Sequence, residues 1–307
     1  MKIAITGASG PFGSGVTRQL VERFGIEPRD LILVSRDPGR LREWAARGAD
    51  TRAGNFDDYD GLVQSLRGAD KLLMISTNRV GQREPQHRNA VLAAKAAGVG
   101  HVAYTSFVGA PGIASIAIAD HRFTEDLLRQ SGMAWTILRN SQYAEAMRDA
   151  AGPAAIRSGI WISSSGGGRI AMVSREDCIA AAAAVMAGSG HENRVYSITG
   201  PELITYEELT QLFAELSGRP IEYRAVDDAA MYAFFDSLGV PRSAKDDYVV
   251  SGFGWCSDDM VSFEVTIRQG GFAVISDDVR NLTGRAPESV RSFLMRHRKQ
   301  VLAEAAK

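Results

Sequence analysis

The chain has 307 residues, of which 45% are hydrophobic and 23% charged, enough apolar residues for one large domain or two modest ones. Its 35 basic residues balance 36 acidic ones, so no basic excess favours a nucleic-acid or membrane partner. We expect a cytoplasmic protein, because the chain starts directly with a predicted strand and no apolar run reaches the ~18 residues of a membrane span. Two cysteines and five scattered histidines predict neither a disulfide framework nor a metal site.

The first predicted element is a strand at Lys2–Thr6, which is followed by the glycine-rich stretch GASGPFG and a helix. Three glycines at this spacing suit a sharp turn, a close approach of backbone N–H groups to a pyrophosphate, and tight helix packing. A tight connection without a ligand is the alternative, but the order of strand, turn and helix favours a dinucleotide site. The predicted cofactor contacts in this stretch are Gly7, Ser9, Gly10, Pro11, Phe12 and Gly13.

Strands and helices then alternate through the first half of the chain. Such alternation predicts parallel pairing, hence an α/β fold with a doubly wound parallel sheet, the Rossmann type, over residues 1–152. The predicted strands are 31–35, 50–53, 71–76, 101–106 and 135–140, and the predicted helices include 58–66, 84–97 and 119–131.

Residues 153–307 predict a smaller, mixed α/β domain that mainly binds substrate, with segments such as 169–199 able to return to the Rossmann sheet. The run SSSGGG at 163–168 predicts a flexible polar loop, and 169–173 a strand. Residues 205–208 predict a capping box at the start of a helix. Phe253 and Trp255 lie in an aromatic-rich stretch that predicts either a flat substrate pocket or a satellite core under a long loop.

Arg36 follows the second predicted strand, at the position that faces the adenosine ribose in Rossmann proteins. A guanidinium attracts a 2′-phosphate, so we predict NADPH rather than NADH as the cofactor. If the strand continues one residue further, Asp37 takes this place instead. A solvated loop arginine is the alternative interpretation.

Several longer motifs resemble the NmrA-like group of atypical short-chain dehydrogenases. The resemblance is strongest to its bacterial NADPH:quinone oxidoreductase and triphenylmethane reductase branch, and it spans most of residues 2–224. The motifs that carry it are GASGPFG (7–13), KLLMIS (71–76), VGQREPQHRNAVLAAKAAGV (80–99), AYTS (103–106), HRFTE (121–125), LRNSQYAE (138–145) and GHENRVY (190–196).

The resemblance implies a reductase, yet the Tyr-Lys pair of ordinary short-chain dehydrogenases is missing, because its helix positions hold His121 and Glu125. An acceptor that takes hydride without a strong protein acid therefore fits better, such as a quinone or a cationic dye. His121 is the first catalytic candidate, and packing at a helix start is its alternative role. Tyr143 is the second, as a phenol donor or a stacking ring for substrate. Glu125 shares a helix face with His121 and could pair with it.

The resemblance also implies contacts around the cofactor and substrate. Asn55 and Phe56 would border adenine, although relatives commonly carry Asp at position 55. Gln142 would offer its amide to substrate. The residues expected to border the nicotinamide and its ribose are Ser76, Thr77, Thr105, Ser106, Phe107 and Asn140.

The leading hypothesis is an NADPH-dependent reductase of quinones or similar flat, electron-poor aromatic acceptors, with direct hydride transfer and without flavin or metal. A reductase of enones, ketones or benzylic ethers is the second. A non-catalytic NADP-sensing regulator that binds a protein partner is the third. A homodimer is possible under each of them.

Overall fold

Short runs of β-branched and aliphatic residues form the strands, because such side chains suit a sheet that is buried on both faces. The computed structural model describes residues 1–113, 115–243 and 256–307. Within those ranges seven parallel strands form one sheet, and two more form a small second sheet. The strands are β1 (Ile3–Thr6), β2 (Leu31–Ser35), β3 (Asp50–Ala53), β4 (Lys71–Met74), β5 (His101–Phe107), β6 (Ala134–Asn140), β7 (Ile160–Ser163), β8 (Arg194–Ile198) and β9 (Glu222–Ala225).

Helices begin where short polar side chains accept hydrogen bonds from free backbone N–H groups, as Ser115, Ser174 and Thr205 do. The capping box between Thr205 and Glu208 is present as predicted. The helices are α1 (Pro11–Glu22), α2 (Arg42–Ala46), α3 (Tyr59–Leu66), α4 (Arg83–Ala96), α5 (Ile116–Gln130), α6 (Ala144–Ala146), α7 (Gly152–Ser158), α8 (Arg175–Ala187), α9 (Tyr206–Ser217), α10 (Asp228–Ser237), α11 (Ser257–Arg268), α12 (Asp278–Thr283), α13 (Val290–Arg296) and α14 (Arg298–Ala305).

The strand order of the large sheet is β3-β2-β1-β4-β5-β6-β8. The chain runs outward from β1 to β3 and then returns to β4 on the other side of β1. This reversal makes a crevice at the carboxyl ends of β1 and β4, where open α/β sheets bind their ligands. The predicted doubly wound Rossmann sheet is confirmed.

Helices cover both faces of this sheet. On one face α1 and α8 pack through residues such as Val16 and Ala181. On the other face α3, α4 and α5 pack through Leu62, Ala94 and Leu128. No helix among the described residues is long and apolar enough to cross a bilayer.

Residues beyond 152 contribute to this sheet. Strand β8 pairs with β6, where Tyr196 lies opposite Leu138. A separate core forms around Phe213 and Phe293 of the C-terminal helices. The division at residue 152 into a cofactor domain and a substrate domain stays a prediction.

One sequence-based prediction for this half is wrong and another is right only in part. Residues 169–173 do not form a strand, because Ile170 and Val173 make only isolated bridges, to Ile204 and Tyr143. The loop predicted at 163–168 is present at 164–168, but the serines at 163–165 are buried. Ser163 ends β7, and its hydroxyl donates to the buried carboxylate of Glu264 at 2.8 Å, so the polar run satisfies an internal charge.

Candidate active site

The glycine turn after β1 forms an open cradle at the start of α1. Gly7 has φ +63, a conformation that favours glycine, and a Cβ on Gly13 would lie 2.5 Å from the carbonyl oxygen of Gly7. Gly10 caps α1 without a side-chain hydrogen bond, and no side chain of the described residues bonds the N–H groups of the first turn. Phe12 is buried, whereas Pro11 is exposed. This geometry fits a pyrophosphate at a helix N-terminus, as a dinucleotide requires.

Arg36 lies directly after β2, which ends at Ser35. It is exposed and has no hydrogen-bond or ion-pair partner in the described parts of the chain. The Asp37 carboxylate accepts a hydrogen bond from the Gly39 N–H at 2.9 Å and so caps its own short helix. Ser35 bonds Ser9 through their hydroxyls at 2.7 Å, which ties the glycine turn to the position next to Arg36. Arg36 is therefore free to meet a 2′-phosphate, and Asp37 is not the residue that closes the strand.

The predicted adenine contacts follow β3. The Asn55 side-chain oxygen accepts from the Asp57 N–H at 3.2 Å, which shapes the turn. The Phe56 ring is buried with its edge toward His87, at a centroid distance of 6.0 Å. The structure thus gives Phe56 a core contact, and its role toward adenine stays a prediction.

The carboxyl ends of β4 and β5 are tied together by the predicted nicotinamide residues. The Ser76 N–H donates to the Thr105 hydroxyl at 2.9 Å, and that hydroxyl donates to Ser76 Oγ at 3.3 Å. The Thr77 N–H donates to Nε2 of His87 at 3.2 Å. These bonds hold the strand ends beside the crevice where the sheet order reverses.

Glu125 does not pair with His121, contrary to the expectation from their spacing. Its buried carboxylate accepts a bidentate pair of hydrogen bonds from Arg139 at 2.9 and 2.6 Å, and one from the Ser106 hydroxyl at 2.7 Å. Arg122 and Arg129 complete the cluster. Burial would raise the pKa of Glu125, but the bonds from Arg139 and Ser106 and the arginine charges lower it to about 2. Ser106 therefore serves a structural ion-pair network.

His121 is buried on α5 and belongs to a different set of contacts. Its Nδ1 lies 2.7 Å from the Tyr104 hydroxyl, and its ring stacks on Phe107 at a centroid distance of 6.2 Å. Burial, helped by the charge of Arg83, lowers the pKa of His121 well below its ordinary value. The imidazole is neutral at physiological pH, so it can donate a hydrogen bond but does not carry an acidic extra proton.

Phe107 connects the end of β5 with the C-terminal part of the chain. Its ring contacts Phe263 of α11 at 5.9 Å and Phe272 at 5.4 Å between centroids. Aromatic pairs at these distances stabilise the packing beyond the area that they bury. Helix α11 is thereby held over the carboxyl end of the sheet, next to the predicted nicotinamide position.

Tyr143 and Asn140 form a pair at the end of β6. The Asn140 Nδ2 donates to the Tyr143 hydroxyl oxygen at 3.0 Å, while the buried Asn140 Oδ1 has no hydrogen-bond partner among the described residues. Burial raises the pKa of Tyr143, so its phenol stays protonated. Gln142 accepts from the Tyr206 hydroxyl at 3.3 Å. Asn140 lies opposite Phe107 in the sheet register, which places this pair beside the His121 contacts.

The two catalytic candidates have different surroundings. Tyr143 packs with the core on the α1 and α8 face, whereas Tyr104, the partner of His121, belongs to the core on the opposite face. The two regions are connected where β5 and β6 end side by side, at Phe107 and Asn140. Their roles in catalysis stay predictions. Phe253 and Trp255, the other substrate candidates, lie outside the described residues.

Sequence reasoning missed a cluster of charged side chains, Arg83, Asp120 and Asp259, close to His121. Arg83 donates from Nε to the Thr77 carbonyl at 2.7 Å, and its Nη1 lies 3.7 Å from Asp120. Asp259 of α11 is buried close by, and its Oδ1 has no hydrogen-bond partner among the described residues. Burial raises the pKa of Asp259 to about 6, although Arg83 opposes the shift. Arg83 falls within the motif at 80–99, but Asp259 comes from a distant segment without any local signal.

The doubly wound sheet and the polar residues at the carboxyl ends of its strands define a dinucleotide-dependent oxidoreductase. Comparison with known proteins gives its family. The NAD(P)H-binding family matches residues 7–187. The chain belongs to that family and is an NAD(P)H-dependent oxidoreductase of the atypical short-chain type. Within the described residues no group of three or more histidines, cysteines or acids could hold a metal ion.

One sequence relative and two solved structures narrow the class further. Quinone oxidoreductase 2 of Escherichia coli (strain K12) is 40% identical over 248 residues, which cover 80% of this chain and 84% of the relative. The crystal structure of NADPH-dependent quinone oxidoreductase QOR2 from E. coli with NADPH superposes with a TM-score of 0.86 at 33% identity, over 98% of this chain and 99% of the other. Triphenylmethane reductase from Citrobacter sp. gives a TM-score of 0.82 at 26% identity, over 100% of both chains. The predicted resemblance to this branch is confirmed.

Proposed function

We propose that the protein is an NADPH-dependent reductase that transfers hydride directly to a quinone or a similar flat, electron-poor aromatic acceptor. The observation that carries the proposal is that His121 and Glu125 stand at the helix positions of the usual Tyr-Lys pair, with His121 buried and Glu125 held by arginines. The candidate donors are a neutral His121 and a protonated Tyr143. Such a site offers hydrogen bonds rather than strong acid. The similarity to an NADPH-dependent quinone oxidoreductase supports the same acceptor class.

The chain's residues have separate tasks in this reaction. The glycine cradle would hold the pyrophosphate, and Thr77, Thr105 and Phe107 would border the nicotinamide. NADPH, when bound, supplies one hydride, that is, two electrons and one proton. A quinone that receives it becomes a hydroquinone monoanion. Because that anion is a stabilised phenolate, hydrogen bonds from neutral donors suffice, and water can deliver the final proton.

The choice of NADPH rests on Arg36, which is exposed and unpaired in the described residues and directly follows β2. A charge-assisted bond to a 2′-phosphate contributes about 1.5–3 kcal/mol, roughly ten- to hundredfold in affinity. NADH has no such phosphate. We therefore expect a clear preference for NADPH. The absence of flavin, a cytoplasmic location and a homodimer stay predictions.

The test is oxidation of NADPH by the purified protein against quinones, cationic dyes, enones and aromatic ketones, with NADH in parallel. Turnover of quinones or dyes with NADPH preferred supports the proposal. Turnover of enones or ketones alone would contradict it and assign a proton-donating step to His121 or Tyr143. Tight NADPH binding without any turnover would point instead to a sensor of the cofactor.

A further inference from the structure

A chain of hydrogen bonds runs from the backbone at the end of β4 to His121. The Thr77 N–H contacts His87 Nε2 at 3.2 Å, and His87 Nδ1 lies 2.8 Å from the Thr124 hydroxyl and 3.3 Å from the Tyr104 hydroxyl. The Tyr104 hydroxyl in turn lies 2.7 Å from Nδ1 of His121. The side chains of His87, Thr124, Tyr104 and His121 are all buried, so solvent does not reorder these bonds.

The first bond fixes the direction of the next ones. A backbone N–H can only donate, so His87 Nε2 must accept and carries no proton. Burial, with a contribution from Arg83, lowers the pKa of His87 to about 3, and the ring is neutral. Its single proton therefore sits on Nδ1 and is shared between the hydroxyl oxygens of Thr124 at 2.8 Å and Tyr104 at 3.3 Å. The Thr124 hydroxyl donates its own proton to the Asp120 carbonyl at 3.0 Å.

His121 Nδ1 is the nearest acceptor to the Tyr104 hydroxyl among the described residues. Since His87 Nδ1 already carries a proton, the Tyr104 hydroxyl does not donate to it. The 2.7 Å contact to His121 Nδ1 receives the hydroxyl proton instead. A neutral imidazole holds one proton, so the His121 proton must lie on Nε2. This nitrogen has no hydrogen-bond partner among the described residues.

We infer that the Thr77 N–H, acting through His87 and Tyr104, holds His121 in the Nε2–H tautomer, so that His121 presents a fixed hydrogen-bond donor to an oxygen of the acceptor. His87 and Tyr104 are positioning residues, and His121 is the group that touches substrate. The inference rests on the proposed function for the identity of that oxygen. It explains how two buried histidines serve a reaction that needs polarisation of a carbonyl rather than an acid.

The same bonds prevent proton transfer along the chain. If His121 released its Nε2 proton, the Tyr104 hydroxyl would have to supply a replacement and become a phenolate, which is disfavoured because burial raises the pKa of Tyr104. The chain therefore orients His121 without conducting protons. The charged groups around it come from three helices and are Arg83 of α4, Asp120, Arg122 and Glu125 of α5, and Asp259 of α11.

The direct test is the tautomer of His121 in the intact protein. Long-range ¹H–¹⁵N correlation spectra of protein labelled in histidine, recorded between pH 6 and 8, distinguish Nε2–H, Nδ1–H and charged rings, and His121→Gln identifies the His121 signals. We expect a neutral Nε2–H ring throughout. A ring that is charged, or protonated on Nδ1, would overturn the inference whether or not the protein reduces quinones.

The functional test uses variants that differ in one hydrogen bond. Tyr104→Phe should shift His121 toward a mixture of tautomers and lower kcat for a quinone about tenfold, with NADPH affinity within twofold of the parent. The Gln side chain places a donor where Nε2–H lies, so His121→Gln should retain more activity than His121→Leu or His121→Asn. Equal loss in these three variants, or an unchanged His121 spectrum in Tyr104→Phe, would contradict the inference. If no acceptor is turned over by the parent, the spectra alone decide it.

Discussion

The two halves of α5 hold buried polar groups in opposite ways. In the second half, Glu125 accepts hydrogen bonds from Ser106 and three arginines, and its buried charge is fully compensated. In the first half, His121 leaves one ring nitrogen open, and the neighbouring Arg83 and Asp259 each have a buried polar atom without a hydrogen-bond partner among the described residues. Buried polar groups in proteins are normally satisfied. The satisfied half therefore stabilises the fold, and the unsatisfied half marks the site.

The largest expected effect is the loss of the compensated charge. Glu125→Ala leaves Arg139 and Arg122 without their buried partner, so we expect the free energy of unfolding to fall by about 3–5 kcal/mol in urea denaturation at pH 7. Asp126→Ala is the control, because Asp126 is an exposed carboxylate on the same helix. It should change the same quantity by about 0.5 kcal/mol or less. Equal effects would mean that the cluster does not stabilise the fold.

The pH dependence of this cluster follows from its lowered pKa. Glu125 has a pKa of about 2 in the folded state, below its ordinary value of 4.5. Its contribution to stability is therefore present above about pH 4.5 and is lost as the pH falls through about 2. The parent and Glu125→Ala should approach each other in stability over this acid range.

Asp259 should change the stability with pH in the direction opposite to Glu125, and its substitution should have the next largest effect on stability. Burial raises its pKa from 3.8 to about 6 in the folded state, so the folded protein prefers the protonated form. The stabilising contribution is present below about 3.8 and is lost as the pH rises through about 6. As the pH rises from about 3.8 to about 6, the stability of Asp259→Asn should therefore increase relative to the parent by on the order of 3 kcal/mol.

Urea denaturation at pH 4 and pH 7.5 measures this gain, and Asp60→Asn on the exposed start of α3 is the control for removal of one carboxylate. If the difference between Asp259→Asn and the parent were the same at both pH values, Asp259 would be compensated as Glu125 is. The contrast between the compensated charge of Glu125 and the uncompensated groups around His121 would then not hold.

Tyr143→Phe tests whether the Asn140–Tyr143 pair at the end of β6 belongs to the same site as His121. The buried Asn140 Oδ1 of this pair has no hydrogen-bond partner among the described residues. The variant removes the hydroxyl that accepts from Asn140, and we expect kcat for a quinone to fall about tenfold while NADPH affinity stays within twofold. Tyr196→Phe is the control, because it removes a hydroxyl bonded to His191, which precedes β8, rather than to a group at the end of β6. Unchanged kcat in Tyr143→Phe would leave His121 as the candidate donor.

Local patterns predicted the fold well. Strands at 31–35 and 50–53 match the structure at both ends, the first from its aliphatic run and both from their place in the alternation of strands and helices. The strand predicted at 169–173 was wrong, since an apolar run does not show whether a partner strand lies beside it. The buried serines at 163–165 were missed for a similar reason. Their partner Glu264 lies far along the chain, so composition alone indicated a loop.

The site was predicted in part. The glycine cradle and the residues that end β4, β5 and β6 follow from the rule that ligands bind at the carboxyl ends of parallel strands. Spacing suggested that Glu125 faces His121, but Arg139 on β6 competes for its carboxylate. Only the three-dimensional packing of α4, α5 and α11 brings Arg83, Asp120 and Asp259 together.

The last expected effect, similar in size to that of Tyr143→Phe, concerns Arg36, an exposed charge that is neither compensated like Glu125 nor buried like Asp259. Arg36→Ala should lower kcat/KM for NADPH about tenfold and leave NADH unchanged, because only NADPH offers a 2′-phosphate. Arg29→Ala is the matched control, since Arg29 is also exposed but precedes β2, whereas Arg36 follows it. An equal loss with both cofactors would show that Arg36 acts on the fold or on a shared part of the dinucleotide. No loss with either would assign the discrimination to another residue, and the open charge beside the glycine cradle would be only solvated.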